Sequence, residues 1–192
     1  MTTAPRSTGA RRDRRALYAA AVARRRAFRL PGYTTLAEAG FDGDYVSPIQ
    51  MTSGNLSGPM LMSKDWLDAP SARRFRTALA ATGYLPQTPF NRVIDRVLAL
   101  LGLTRSDIYI APVFCLLPPR RSHPLPAAAA RASFDAVTGH ELMGRRPVAA
   151  GTDAARALRA AGVEHVETIH PSARGLDFDA RAARIARALE AA

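Results

Sequence analysis

Four short apolar runs punctuate the chain, each closed by turn or polar residues. Pro59-Met60-Leu61-Met62-Ser63 lies between Gly58 and the polar pair Lys64-Asp65, and Asp107-Ile108-Tyr109-Ile110-Ala111 stops at Pro112. Pro147-Val148-Ala149-Ala150-Gly151 turns through Gly151 and Thr152, and Val163 to Ile169 ends before His170-Pro171. Short runs of this kind predict strands, and a continuous one without polar alternation predicts a strand covered on both faces. Between them the apolar residues fall at helical spacing. Ser71 to Thr82 predicts a helix with Phe75 and Leu79 inward, stopped by Gly83. Asn91 to Leu101 carries Val93, Ile94, Val97, Leu98 and Leu101 on one face before Gly102 closes it. Pro126 to Gly139, Asp153 to Ala161 and Asp179 to Leu189 predict three more. Strands alternating with helices of this length predict an α/β fold, a three-layer α/β/α arrangement around a four-stranded parallel sheet.

The first sixty residues read differently. Leu30 to Gly58 is broken by Pro31, Gly32, Gly40, Gly43, Pro48 and Gly54, which predicts loops leading into the core. Asp13 to Phe28 has only a thin apolar stripe, Leu17, Val22 and Phe28, consistent either with a mobile arm or with a docked surface helix. The expected organisation is a basic arm over residues 1–30 and one α/β domain over 31–192.

Charge adds a partner. The formal net charge is +11 and the pI about 11.2, which favours a phosphate-bearing polyanion, DNA before others. The same excess of Arg, together with abundant Ala, is also what gene-level base composition produces, so charge alone selects nothing. Arg6, Arg11, Arg12, Arg14, Arg15, Arg24, Arg25, Arg26 and Arg29 stand against one acid, Asp13; they form a phosphate-tracking arm or a solvated helix. Cys115 is alone, and no signal peptide or membrane-length apolar run is present. A cytoplasmic monomer with no membrane partner is expected.

In a parallel sheet ligands bind beyond the carboxyl ends of the strands. The residues there are Lys64-Asp65-Trp66, Pro112-Val113-Phe114, Gly151-Thr152 and His170-Pro171-Ser172. Asp65 and His170 are thus expected to face one cleft from opposite sides, a carboxylate to activate water and an imidazole to steady a leaving anion. His123, His140, His165, His170 and Cys115 lack zinc-like spacing, and neither a dinucleotide glycine fingerprint nor a Gly-Lys-Ser/Thr phosphate loop occurs. The pair is therefore read as metal-free and cofactor-free. Each residue has a structural alternative: Asp65 as the cap of a helix starting near Trp66, His170 as a turn residue satisfied by a carbonyl, Trp66, Phe114 and Tyr45 as packing rather than base-stacking groups. Arg120 and Arg121 beside Pro118-Pro119 read as phosphate contacts.

Four segments resemble the motifs of the uracil-DNA glycosylase superfamily and arrive in its order, from about Ser53 to the C-terminus. They are Met62-Ser63-Lys64-Asp65-Trp66-Leu67-Asp68, Asp107 to Val113 leading to Leu117-Pro118-Pro119, Pro147 to Ala154, and Ile169-His170-Pro171-Ser172-Ala173. The resemblance implies a pocket for a base flipped out of DNA and hydrolysis of the bond joining base to deoxyribose. It matches Asp65 to the acid that activates water and stabilises the sugar cation, and His170 to the donor on the base oxygen. Lys64, Trp66, Leu67, Pro112 and Phe114 would form the base pocket. Pro171, Ser172, Arg174 and Leu176 match the loop that presses into DNA, Leu176 filling the gap left by the extruded nucleotide.

The chain departs from the family at three positions. Ala111-Pro112 stands where an asparagine commonly reads uracil, Lys64 where glutamine is usual, and Leu67 where the best-known branch has a tyrosine that excludes the thymine methyl. A cation and an aliphatic wall suit a different or larger base, or a phosphate. The iron-sulfur branches need four cysteines and are excluded. Two alternatives to the DNA base-excision enzyme follow: a non-catalytic nucleic-acid-binding relative, and a small-molecule or nucleotide-handling hydrolase on the same sheet. Preference for single or double strands is left open.

Overall fold

The computed structural model describes residues 8–192, with side chains described from Arg14 onward. Arg6 and the side chains of Arg11, Arg12 and Asp13 lie outside the described residues. In chain order the main elements are α1 (Thr8–Ala27), β1 (Met60–Ser63), α2 (Ala69–Arg74), α3 (Arg76–Thr82), α4 (Pro89–Leu101), β2 (Tyr109–Pro112), α5 (Ala127–Ala136), β3 (Val148–Ala150), α6 (Thr152–Ala160), β4 (Val166–Thr168) and α7 (Phe178–Glu190).

The four strands form one sheet in the order β2-β1-β3-β4, and every pairing is parallel. Period-two alternation splits the strand residues between two helical layers. Met60, Met62, Tyr109, Ala111 and Ala149 pack with Ala21 and Val22 of α1, Ala130 and Phe134 of α5 and Leu158 of α6. Leu61, Ile110, Val148 and Ala150 pack with Val93, Ile94 and Val97 of α4 and Ala182 and Ile185 of α7. Both faces of β1, β2 and β3 are thus buried, which is why those runs do not alternate in the sequence; the edge strand β4 is only partly covered. Burying a side chain such as Leu61 or Ile110 contributes about 1.5–3 kcal/mol, and together these residues hold the three layers.

A third cluster, Leu36, Phe41, Ala72, Leu79, Leu85 and Leu117, gathers around α2 and α3. The helix expected over Ser71–Thr82 starts two residues earlier and breaks at Phe75, whose φ of −104° and ψ of 21° end α2. Asp68 sets the start: its carboxylate accepts from the Ser71 backbone N–H at 3.0 Å and from the Ser71 hydroxyl at 2.7 Å.

The N-terminal helix is docked. Tyr18, Ala21, Val22 and Phe28 pack on the first layer, whereas Leu17, expected in the stripe, is 41% exposed. Arg25 is buried and fully used, its Nη2 donating to the Gly43 and Tyr45 carbonyls at 2.7 and 2.8 Å and its Nη1 pairing with Asp42 at 2.9 Å. Among the described residues, no helix is long and apolar enough to cross a membrane.

A polar network crosses beneath α1. Glu141 is fully buried; its Oε1 accepts from the Tyr109 hydroxyl and from Gln50 Nε2, while Gln50 Oε1 accepts from the Tyr18 hydroxyl at 2.8 Å. Burial lifts the Glu141 carboxyl from its ordinary 4.5 to about 7, against the donated hydrogen bonds that lower it. Between these values the folded chain holds a proton that the unfolded chain has released. Stability from this group is therefore full below about 4.5 and lost as pH rises through 7. Urea titrations at pH 5 and pH 8 are expected to show Glu141→Gln flattening that decline, which in the parent is on the order of 2–3 kcal/mol.

Candidate active site

The carboxyl ends of the strands open on a cleft of about 920 Å³. Ser63, Lys64 and Asp65 reach it from the end of β1, Pro112 from β2, Ala150 and Gly151 from β3, and His170, Ser172 and Arg174 from the loop after β4. β1 and β4 are separated by β3, so Asp65 and His170 enter one cleft from different strands, as the sequence implied.

The cap of α2 is Asp68, which leaves Asp65 free of that duty. Burial raises the Asp65 carboxyl above its ordinary range; neighbouring Lys64 opposes this, and the charges of Asp153 and Asp68 add to it. Lys64 is the node of the site. Its Nζ lies 3.5 Å from Asp65 Oδ2 and 4.0 Å from Asp153 Oδ2, and it donates to the His123 carbonyl. One cation thus joins the end of β1, the first turn of α6 and the loop that carries Arg120 and Arg121.

His170 is held by its own loop. The Ser172 backbone N–H donates to Nδ1 at 3.0 Å, so Nδ1 keeps its lone pair and the neutral ring carries its proton on Nε2. Burial lowers the imidazole's pKa, with Asp153 opposing and Lys64 reinforcing, which favours that neutral form. Among the described residues Nε2 has no hydrogen-bond partner. The ring rests against Phe90, centroids 5.6 Å apart.

No protein-family model, curated protein or solved structure matches the chain. The chemistry of the site therefore rests on its own geometry.

Backbone at the end of β3 is shaped for His170. Gly151 has φ +93°, and a Cβ there would stand 3.0 Å from His170 Cβ. Gly151→Ala combines a left-handed backbone with a crowded neighbour and is expected to cost about 1–3 kcal/mol. Thermal melts should register the loss, and the shifted His170 ring should register in its NMR resonances.

The expected pocket residues divide. Trp66 and Leu67 line the cleft beside Pro112; Trp66 Nε1 donates to the Gly83 carbonyl at 2.9 Å and its ring meets Phe41 edge-on at 5.2 Å. Phe114 is corrected to a core residue: it is fully buried, outside the cleft lining, and packed 4.7 Å from the Tyr33 ring. The β1–β2 ladder runs on past Pro112, Val113 N–H to Ser63 O and Phe114 N–H to Lys64 O, and carries Phe114 into the interior. Tyr45 also lies outside the lining, with Arg25 over its ring at 5.7 Å.

The last loop divides too. Ser172 and Arg174 line the cleft; Pro171 is buried with its carbonyl accepting from Arg181 Nη1 at 2.7 Å, and half-buried Leu176 lies outside the lining. Arg120 and Arg121 line the mouth and are exposed. Among the lining residues that escaped the sequence reading are Ser47, Tyr84, Phe90 and Asp153. Only Asp153 had a signal, an acid just after the Gly151 turn; the others arrive from segments with no motif of their own.

Proposed function

We propose that the chain is a DNA base-excision glycosylase that hydrolyses the bond between a flipped base and its deoxyribose, working without a metal ion. The observation that carries this reading is the convergence of Asp65 and a neutral, Nε2-protonated His170 on one cleft. Breaking that bond develops positive charge on the sugar and negative charge on the base. Asp65 is suited to the first: its carboxylate stabilises the sugar cation and takes a proton from the attacking water, whose oxygen bonds to the sugar carbon. His170 is suited to the second, since its free Nε2–H donates to the base oxygen as the bonding pair departs with the base. A neutral donor serves here without first losing or gaining a proton. The resemblance to uracil-DNA glycosylase motifs, and the order in which they fall along the fold, support the same assignment.

The rim supports DNA as the partner. Arg120, Arg121 and Arg174 are exposed at the cleft mouth, and none of their side chains has an ion pair or hydrogen bond among the described residues. Each is free to take a phosphate. Changing all three to Ala is expected to weaken binding most at low salt and to flatten the slope of log Kd against log salt by about 2–3 units, as the loss of three phosphate contacts requires. Fluorescence anisotropy across a salt series reads it.

Pro112 offers neither an amide side chain nor a backbone donor at the pocket floor, which argues for a base other than uracil. The test is incubation with oligonucleotides carrying uracil, hypoxanthine, xanthine or mismatched thymine, single- and double-stranded, followed by cleavage at abasic sites. Asp65-dependent release of one of these bases is expected. Salt-dependent binding with no release of any base would transfer the assignment to the non-catalytic DNA-binding relative.

A further inference from the structure

Part of the cleft is lined by apolar side chains. Ile49, Trp66, Phe75, Tyr84, Leu85 and Phe90 form an apolar and largely aromatic wall. The wall begins at the catalytic pair, because Trp66 follows Asp65 directly and the Phe90 ring abuts His170. Its rings are fixed before any ligand arrives. Trp66 is tied by its indole N–H to Gly83 and edged by Phe41, and Tyr84 is covered by the Arg105 guanidinium, 3.7 Å from the ring centroid.

Ser47 lines the same cleft and is 1% exposed; its hydroxyl sits over the Gln50 backbone N–H in a capping box but has no partner for its own proton. Its backbone N–H is satisfied by Gln50 Oε1 at 3.2 Å. A buried hydroxyl is normally paired, so a donor left open beside a cleft is a place where a polar atom of a ligand can bond. A cleft of 920 Å³ sits near the top of the range of about 300–1,000 Å³ that takes drug-sized ligands, well beyond the needs of one pyrimidine.

We propose that the aromatic wall and Ser47 form a substituent pocket, so that the base received here bears a bulky aromatic or branched apolar group with a polar atom that pairs with the Ser47 hydroxyl. The substrate class is an adducted base rather than an unmodified pyrimidine. This rests on the DNA glycosylase reading, and the experiment separates the two.

Binding is measured by fluorescence anisotropy, at fixed low salt and in a salt series, to oligonucleotides that differ at one position. The position holds guanine with an O6-benzyl group, guanine with an O6-(4-hydroxybenzyl) group, uracil, or a tetrahydrofuran abasic analogue. Wild type is expected to hold both benzylated strands at least tenfold more tightly than the uracil and abasic strands. Ser47→Ala is expected to lose about fivefold on the hydroxybenzyl strand and nothing on the benzyl strand, as removal of one hydrogen bond predicts. Leu85→Trp, which fills the pocket, is expected to erase the preference while keeping affinity for the abasic strand. Equal affinity of wild type for benzylated, uracil and abasic strands, with salt-dependent binding intact, overturns the substituent pocket and leaves the DNA reading standing. Absence of salt-dependent binding to all four overturns the DNA reading and this inference with it. The wild-type comparison decides without either variant.

Discussion

Asp65→Asn is expected to abolish base release, with a fall of about 10²–10⁴-fold in the single-turnover rate, the usual contribution of a positioned general base. The same change should leave DNA affinity unaltered or slightly stronger, since it removes a negative charge from the cleft proposed to receive DNA. It should also stabilise the fold. Burial raises the Asp65 carboxyl above its ordinary value, so the charged form is disfavoured in the folded state. The stability associated with this group is present at low pH and lost as pH rises through the raised value. Asparagine keeps the shape without the charge, and a melting temperature higher by about 2–4 °C near neutral pH is the expected sign. An inactive, tight-binding and more stable variant is what a strained catalytic acid produces. A variant that keeps activity within tenfold of the parent would remove Asp65 from the chemistry.

The second large effect belongs to Lys64→Met. Lys64 is the main influence holding the Asp65 carboxyl down against burial, at 3.5 Å from Oδ2. Without it, burial and the charge of Asp153 act unopposed and Asp65 protonates at higher pH. The acid limb of the pH–rate profile is expected to move upward, with activity at neutral pH reduced tenfold or more and partly recovered at alkaline pH. A merely structural role for Lys64 would lower the profile uniformly without displacing its limb. Rates from pH 5 to 9 distinguish the two. The methionine also removes the tie to the His123 carbonyl, so looser DNA binding through Arg120 and Arg121 should accompany the kinetic change.

The sheet was legible because three of its strands, β1, β2 and β3, are buried on both faces. Runs such as Met60-Leu61-Met62 have no polar positions to obscure them, and Gly58, Pro112 and Gly151 mark their limits. The break at Phe75 was not legible: no glycine or proline announces it, and it follows from packing around Leu79 and Leu117 in the third cluster. The stripe on α1 was only partly visible, because a buried arginine, Arg25, takes the place that pattern reading reserves for an apolar residue. That Asp65 and His170 line one cleft was legible because strand ends are privileged positions in this class of fold. Phe114 was assigned to the pocket by the same rule, which fails where the ladder continues past the apparent strand end. Ser47 and Tyr84 were invisible, since their place in the cleft depends on how the segments around Gly83 and Gln50 fold back over the sheet.

The layer formed by α4 and α7 has a consequence for how the chain comes to be made. Leu61, Ile110 and Val148 are shielded on that side by α4, from the middle of the chain, and by α7, Phe178–Glu190. A nascent polypeptide emerging from the ribosome has β1, β2 and β3 well before it has α7. Part of that face stays wet until α7 has been made, and a molecular chaperone meeting the chain before then finds an aliphatic sheet surface as its handle.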